Sequence, residues 1–168
     1  MRNKRAKIAV MILISLAGCR RGEGDGNGAA PAAGAVSGPV QTQTLTGLYE
    51  GGEGSRRNQM CMIEREVRST TFGFVTWGSG DTNCSGSGLA TRDGDRLRLQ
   101  LDGDESCTLE ARIDGRRVIL PQNIPPACNR YYCGAGAQMT GANFEKVGGA
   151  EADAMRAVDL VGDPLCGG

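Results

Sequence analysis

Between Leu89 and Leu120 the chain alternates apolar and polar residues with the period of a half-buried β-strand, and this pattern constrains the fold more than any other. Leu97, Leu99 and Leu101 interleave with Arg96, Arg98 and Gln100; Cys107, Leu109, Ala111 and Ile113 interleave with Thr108, Glu110 and Arg112. Asp93-Gly94 and Asp114-Gly115 punctuate the alternation, and Asp-Gly is a favoured pair for a two-residue hairpin loop. With those pairs as the loops, Ala90 faces Leu97 and Gly88 faces Leu99 in one hairpin, while Ala111 faces Val118 and Leu109 faces Leu120 in the other. Apolar partners then share one face, as a buried register demands. The same register sets Arg112 against Arg117 on the wet face. The loop Asp102–Ser106 sets Leu101 opposite Cys107.

Leu45–Glu50, Met60–Val67, Thr71–Trp77 and Met139–Val147 read as further strands. Ala150–Leu160 reads as a short helix, with Glu151 and Asp153 at its positive end and a stripe of Ala150, Ala154, Ala157, Val158 and Val161. The expected fold class is mainly β: an antiparallel meander of about eight strands forming a small closed or partly open β-barrel, with one short C-terminal helix. An open sheet and a two-layer sandwich remain as alternatives. Few aromatics and 27 glycines imply a thin core that needs covalent support.

The first twenty residues set the compartment. Arg2, Lys4, Arg5 and Lys7 precede an apolar run from Ile8 to Ala17, about half the roughly 20 residues of a membrane-spanning helix. The run ends Leu16-Ala17-Gly18-Cys19, which resembles the lipobox of bacterial lipoproteins. The resemblance implies cleavage of a signal peptide, 1–18, and acylation of Cys19, giving an envelope protein anchored by several acyl chains. Arg20 after the cysteine, by resemblance to enterobacterial sorting, implies the outer membrane, facing the periplasm. Residues 19–43 read as the lipidated terminus and a Gly/Ala/Pro-rich tether, with an end-to-end reach of roughly 25–30 Å, and residues 44–168 as the folded domain.

The chain carries 19 basic and 19 acidic residues. Loss of the four basic residues of the signal leaves 15 against 19, a mildly acidic chain that argues against nucleic acid as a partner. In an exported chain Cys61, Cys84, Cys107, Cys128, Cys133 and Cys166 read as a disulfide framework with 15 full pairings; free or metal-binding thiols are the alternative. The registers above point Cys84 and Cys107 inward at one end of neighbouring strands, which favours Cys84–Cys107. Cys128–Cys133 would close the loop Asn129–Tyr132, and Cys61–Cys166 follows by elimination.

No histidine is present, which excludes Ser–His–Asp and Cys–His catalysis and the usual His-containing zinc sites. Asp102, Asp104 and Glu105 cluster, but in a hairpin loop where Asp and Gly serve turn geometry. The Gly-rich stretch Gly78–Gly88 lacks the Lys-Ser/Thr ending of a phosphate loop, and Arg56-Arg57 forms a small basic spot. No metal, cofactor or enzymatic activity is expected. Arg130, Tyr131 and Tyr132 are the most recognition-like residues, because Tyr and Arg are enriched where interfaces carry energy. The expected protein is a monomeric, non-enzymatic binding or interaction module held on a membrane, with an envelope protein as partner. In its overall plan of lipobox, tether and cysteine-stapled barrel the chain resembles the membrane-bound lysozyme inhibitors, which implies inhibition as an alternative; a small-ligand carrier using the barrel interior is another.

Overall fold

The computed structural model describes residues 43–53, 56–66, 69–104 and 106–167. The signal segment, Cys19 and residues 20–42 of the tether lie outside the described residues, as do Val67 and Glu105. Within them the alternating segments form β1 (Gly47–Gly51), β2 (Asn58–Glu66), β3 (Ser69–Trp77), β4 (Asn83–Asp93), β5 (Arg96–Leu101), β6 (Thr108–Asp114), β7 (Arg117–Ile119) and β8 (Asn143–Gly148). Each strand pairs antiparallel with its sequence neighbour, and β1 pairs with β8 to close the barrel. Closure leaves no sheet edge free to pair with another chain. Two helices complete the described residues, α1 (Pro126–Tyr132) between β7 and β8, and α2 (Glu151–Ala154) after β8.

Both Asp-Gly hairpins turn one residue later than their sequence predicts. Asp93 pairs with Arg96 and Asp114 with Arg117, so the loops are Gly94-Asp95 and Gly115-Arg116. Ala90 therefore faces Leu99, and Ile113 faces Val118. The reason is conformational. A loop of Asp followed by Gly needs positive φ at both residues, whereas here only the glycines take it, at +62° and +60°, in the first loop position that a type II′ turn gives to glycine. The later turn also moves Arg112 from Arg117 to Ile119 and lets Asp114 accept an ion pair from Arg117 at 2.8 Å. A slip of two positions keeps every side chain on its own face, so the inward set survives. The β5–β6 pairing agrees with the sequence reading, Leu99 opposite Leu109 and the Leu101 N–H on the Cys107 carbonyl at 3.1 Å.

The interior is filled with side chains. Phe72, Phe74, Phe144, Met60, Met62 and Leu99 are among the fully buried residues, and an eight-stranded barrel is only wide enough for such a filling. β4 contributes the small residues. A Cβ on Gly86 would stand 2.8 Å from Leu101 Cδ2 and 3.2 Å from Phe74, so bulk on β3 and β5 is matched by its absence between them. The space that a carrier would offer a ligand is thus occupied by the core.

Each mouth of the barrel is stoppered. At the mouth where β1 begins, Leu45 is buried in the core, and the polar groups around it bind the backbone on either side. Lys146 Nζ donates to the Thr44 carbonyl at 2.6 Å, Arg92 to that of Gln43 at 2.7 Å, and the Tyr49 hydroxyl to that of Leu45 at 2.7 Å. The Thr44 hydroxyl donates to the Glu64 carboxylate. At the opposite mouth Ile124, Cys128, Ala137 and Met139 close the core. The strand expected from Met139 begins only at Asn143, because Met139 serves this stopper and the chain turns at Thr140-Gly141.

The C-terminal segment lies on the outside of β1 and β2, where Leu48, Cys61 and Ile63 pack against Ala154, Ala157 and Cys166. A Cβ on Gly73 of β3 would stand 2.5 Å from the Leu165 carbonyl oxygen, so a bare backbone is needed beneath the segment. The helix here spans four residues rather than the expected Ala150–Leu160. The Asp159 carboxylate accepts the N–H groups of Val161 and Asp163, both at 2.9 Å, and the Leu165 N–H returns to the Ala157 carbonyl at 2.9 Å. Side-chain acceptance of this kind competes with helix, and the chain folds back on itself. Those hydrogen bonds hold the Asp159 carboxyl below its ordinary value. Val158 and Val161 are exposed in consequence.

The disulfides are Cys61–Cys166, Cys84–Cys133 and Cys107–Cys128. The first agrees with the sequence reading, and the other two overturn Cys84–Cys107 and Cys128–Cys133. Cys84 and Cys107 do lie at the same mouth, but β5 separates their strands. Cys128 and Cys133 cannot meet, since residues five apart on a helix are about 7.5 Å apart along its axis and on different faces. Each strand cysteine instead takes one cysteine of α1 and its cap.

Non-reducing peptide mapping should return these three bridges. The Cys61→Ala/Cys166→Ala double variant should lose about 3–5 kcal/mol in urea unfolding, because the bridge spans 105 residues. Burial pushes the Tyr49 phenol well above its ordinary value, with the Glu64 charge adding to the rise. The folded state then keeps that proton to higher pH than the unfolded chain. Its stabilising contribution is complete below the unfolded value of about 10 and declines above it. Unfolding midpoints measured from pH 8 upward should fall on the alkaline side, and fall less steeply in Tyr49→Phe.

Candidate recognition site at one end of the barrel

α1 begins with Pro125-Pro126, whose fixed φ suits a first helical turn, and it has no side-chain cap at its N-terminus. Seven residues are too few for a helix to stand alone in water. Its position comes from two bridges. Cys128, on its buried face, is joined to Cys107 at the foot of β6, and Cys133, at its C-terminal cap, to Cys84 at the start of β4. The cap itself is closed by the Cys133 N–H on the Asn129 carbonyl at 3.0 Å.

Of the three residues singled out in the sequence, the helix divides the roles. Tyr132 turns toward the barrel. Its hydroxyl donates to the Asp102 carbonyl at 2.6 Å, and a Cβ on Gly86 would stand 3.3 Å from its ring. Burial raises its phenol above the ordinary value. Tyr131 faces outward, 61% exposed, with its ring tilted 57° against that of Tyr132 at 4.7 Å between centroids. Arg130 is exposed beside it. The helix therefore offers Arg130 and Tyr131 to solvent and uses Tyr132 as the peg.

The acidic loop beneath them is turn chemistry. The Asp104 carboxylate accepts the Ser106 N–H at 3.0 Å and the Ser106 hydroxyl at 2.6 Å, and the Asp104 carbonyl accepts the Cys107 N–H at 2.9 Å. Glu105 lies outside the described residues. Among the described residues no group of Cys, Asp or Glu is arranged to hold a metal ion. Within the barrel near this mouth, the Thr76 hydroxyl is buried and has no hydrogen-bond partner among the described residues.

A cleft of about 430 Å³ lies at the outer lip of the same end, lined by Gly52, Glu53, Arg56, Asn58, Trp77, Gly78 and Gly80. The Arg56 guanidinium stands over the Trp77 ring, 4.9 Å from its centroid, and pairs with Asp81. Segment 134–139 ties this lip to α1, through the Gly134 N–H on the Asn83 carbonyl at 2.8 Å and through Ala137 against Gly78. The cleft escaped the sequence reading. Its one signal was the single tryptophan of the chain, placed at a strand end and followed by glycines.

No family model matches the chain, and no curated protein and no solved structure matches it.

Replacing an orphaned buried hydroxyl by a methyl group removes a desolvation cost without changing shape. Thr76→Val should therefore raise unfolding stability by about 1 kcal/mol in denaturant melts. Gly86→Val should act in the opposite sense by driving Leu101 and Tyr132 from their seats, with a loss of about 1–3 kcal/mol.

Proposed function

We propose that this protein is an envelope lipoprotein, held on the outer membrane by acyl chains on Cys19, that works as a non-enzymatic interaction module through the α1 end of its barrel. One observation carries the reading. Two of the three disulfides fix a seven-residue helix whose outward residues are Arg130 and Tyr131. Tyr132 pegs the helix to the barrel, and Tyr131, whose ring lies over Gly103 of the loop after β5, still leaves 61% of its surface to solvent. A helix fixed by two bridges presents its exposed side chains on a rigid backbone, and Tyr and Arg are residues that carry energy at protein interfaces. The absence of histidine fits a role without acid–base chemistry. The described chain begins, with Gln43 and the buried Leu45, at the mouth opposite α1.

A photo-crosslinking residue in place of Tyr131 should give a discrete adduct with an envelope protein in living cells. The same group in place of Arg98, on the polar outer wall of β5, should not. Equal adducts from both positions, or none from Tyr131, would reject the α1 reading. In parallel, Cys19→Ser should move the protein from membranes to the soluble fraction, and mass spectrometry of the wild-type N-terminal peptide should find lipid on Cys19.

A further inference from the structure

The cleft at the outer lip has a lining that selects a chemical class, and we infer that it binds a neutral saccharide, with Trp77 as the surface on which the sugar ring stacks. This inference does not rest on the α1 reading, because the described residues that line the cleft lie around the ends of β1, β2 and β3. Its volume of about 430 Å³ falls within the roughly 300–1,000 Å³ range of small-ligand sites.

Trp77 is held in place rather than buried. Its backbone N–H donates to Asn58 Oδ1 at 2.8 Å, it pairs with Asn83 across the ladder, and its side chain is only half-buried. The Arg56 guanidinium, paired with Asp81, already stands over one face of the ring, so a stacking sugar takes its place there and leaves Arg56 to Asp81 at the rim. The glycines at 52, 78 and 80 contribute no side chain to the lining.

The rim distinguishes between ligand classes. Among the described lining residues Glu53 is acidic and Arg56 basic, so the lip favours neither anions nor cations. Arg56 only donates hydrogen bonds, an ionised Glu53 only accepts them, and Asn58 does both. With its oxygen engaged by Trp77, Asn58 has its NH₂ left on the side of Gly52, where a Cβ would stand 3.1 Å away. An anion would call for donors alone and a cation for acceptors alone. Sugar hydroxyls donate and accept together, and the C–H face of a pyranose is the apolar surface that an indole covers. A saccharide matches both halves of the lining.

Trp77 is the only tryptophan in the chain, so its emission reports on this site alone. The full-length acylated protein, in a detergent without sugar headgroups, should be titrated with oligomers of N-acetylglucosamine, glucose linked β-1,4 and glucose linked α-1,4, and with inorganic phosphate and choline. The expected result is a saturable change in emission with at least one oligosaccharide and none with phosphate or choline. By calorimetry Trp77→Ala should weaken that binding at least about tenfold while the melting temperature stays near that of the parent. No saturable response to any oligosaccharide up to about 10 mM, a response to phosphate or choline instead, or unchanged affinity in Trp77→Ala would overturn the inference. A negative result here leaves crosslinking from Tyr131 untouched, so the two proposals stand or fall separately.

Discussion

Eight strands enclose a fixed volume, and everything else in this structure follows from how that volume is filled. Phenylalanines and methionines on β2 and β3 and leucines on β5 would overfill it, were it not for Gly86, Gly88 and Ala90 on the strand between. The complementarity is of size, one small-residue strand against two bulky neighbours, and it leaves the interior packed at the density of a solid. With the inside committed to packing, any recognition must take place at the ends or on the outer wall.

The two ends are closed by different means. The mouth at β1 is closed by a hydrophobic side chain, Leu45, whose own carbonyl takes the Tyr49 hydroxyl while Lys146 and Arg92 hold the carbonyls of Thr44 and Gln43 before it. The mouth at α1 is closed covalently. Burial there is too slight to hold a seven-residue helix by packing alone, and sulfur bridges supply what area cannot. The Cys61–Cys166 bridge does the same for the C-terminal segment, whose buried apolar residues are chiefly alanines.

Legibility in the sequence followed the range of the interactions. The period of two between Leu89 and Leu120 fixed which residues point inward, and that set stands. It could not fix where each hairpin turns, because Asp-Gly suits a loop containing both residues and a loop starting at the glycine; only the ladder partners Arg96 and Arg117 decide between them. The bridges of Cys84 and Cys107 are hidden in the sequence because α1 is only seven residues long and Pro125-Pro126 is its one helix-start signal. The C-terminal helix was overread because alanine spacing was weighed above Asp159, whose carboxylate binds the backbone locally. Tyr131 was found from composition, but Trp77 and Arg56 meet only when two loops 19 or more residues apart are brought together.

The course of β1 has a mechanical consequence. A pull between residue 43 and α1 would act along the barrel axis, lengthwise on β1. That strand is flanked by β2 on one side and β8 on the other, so its ladder bonds would bear the load side by side instead of opening in turn. Loaded in that way, the barrel would transmit tension as a stiff link between its two mouths.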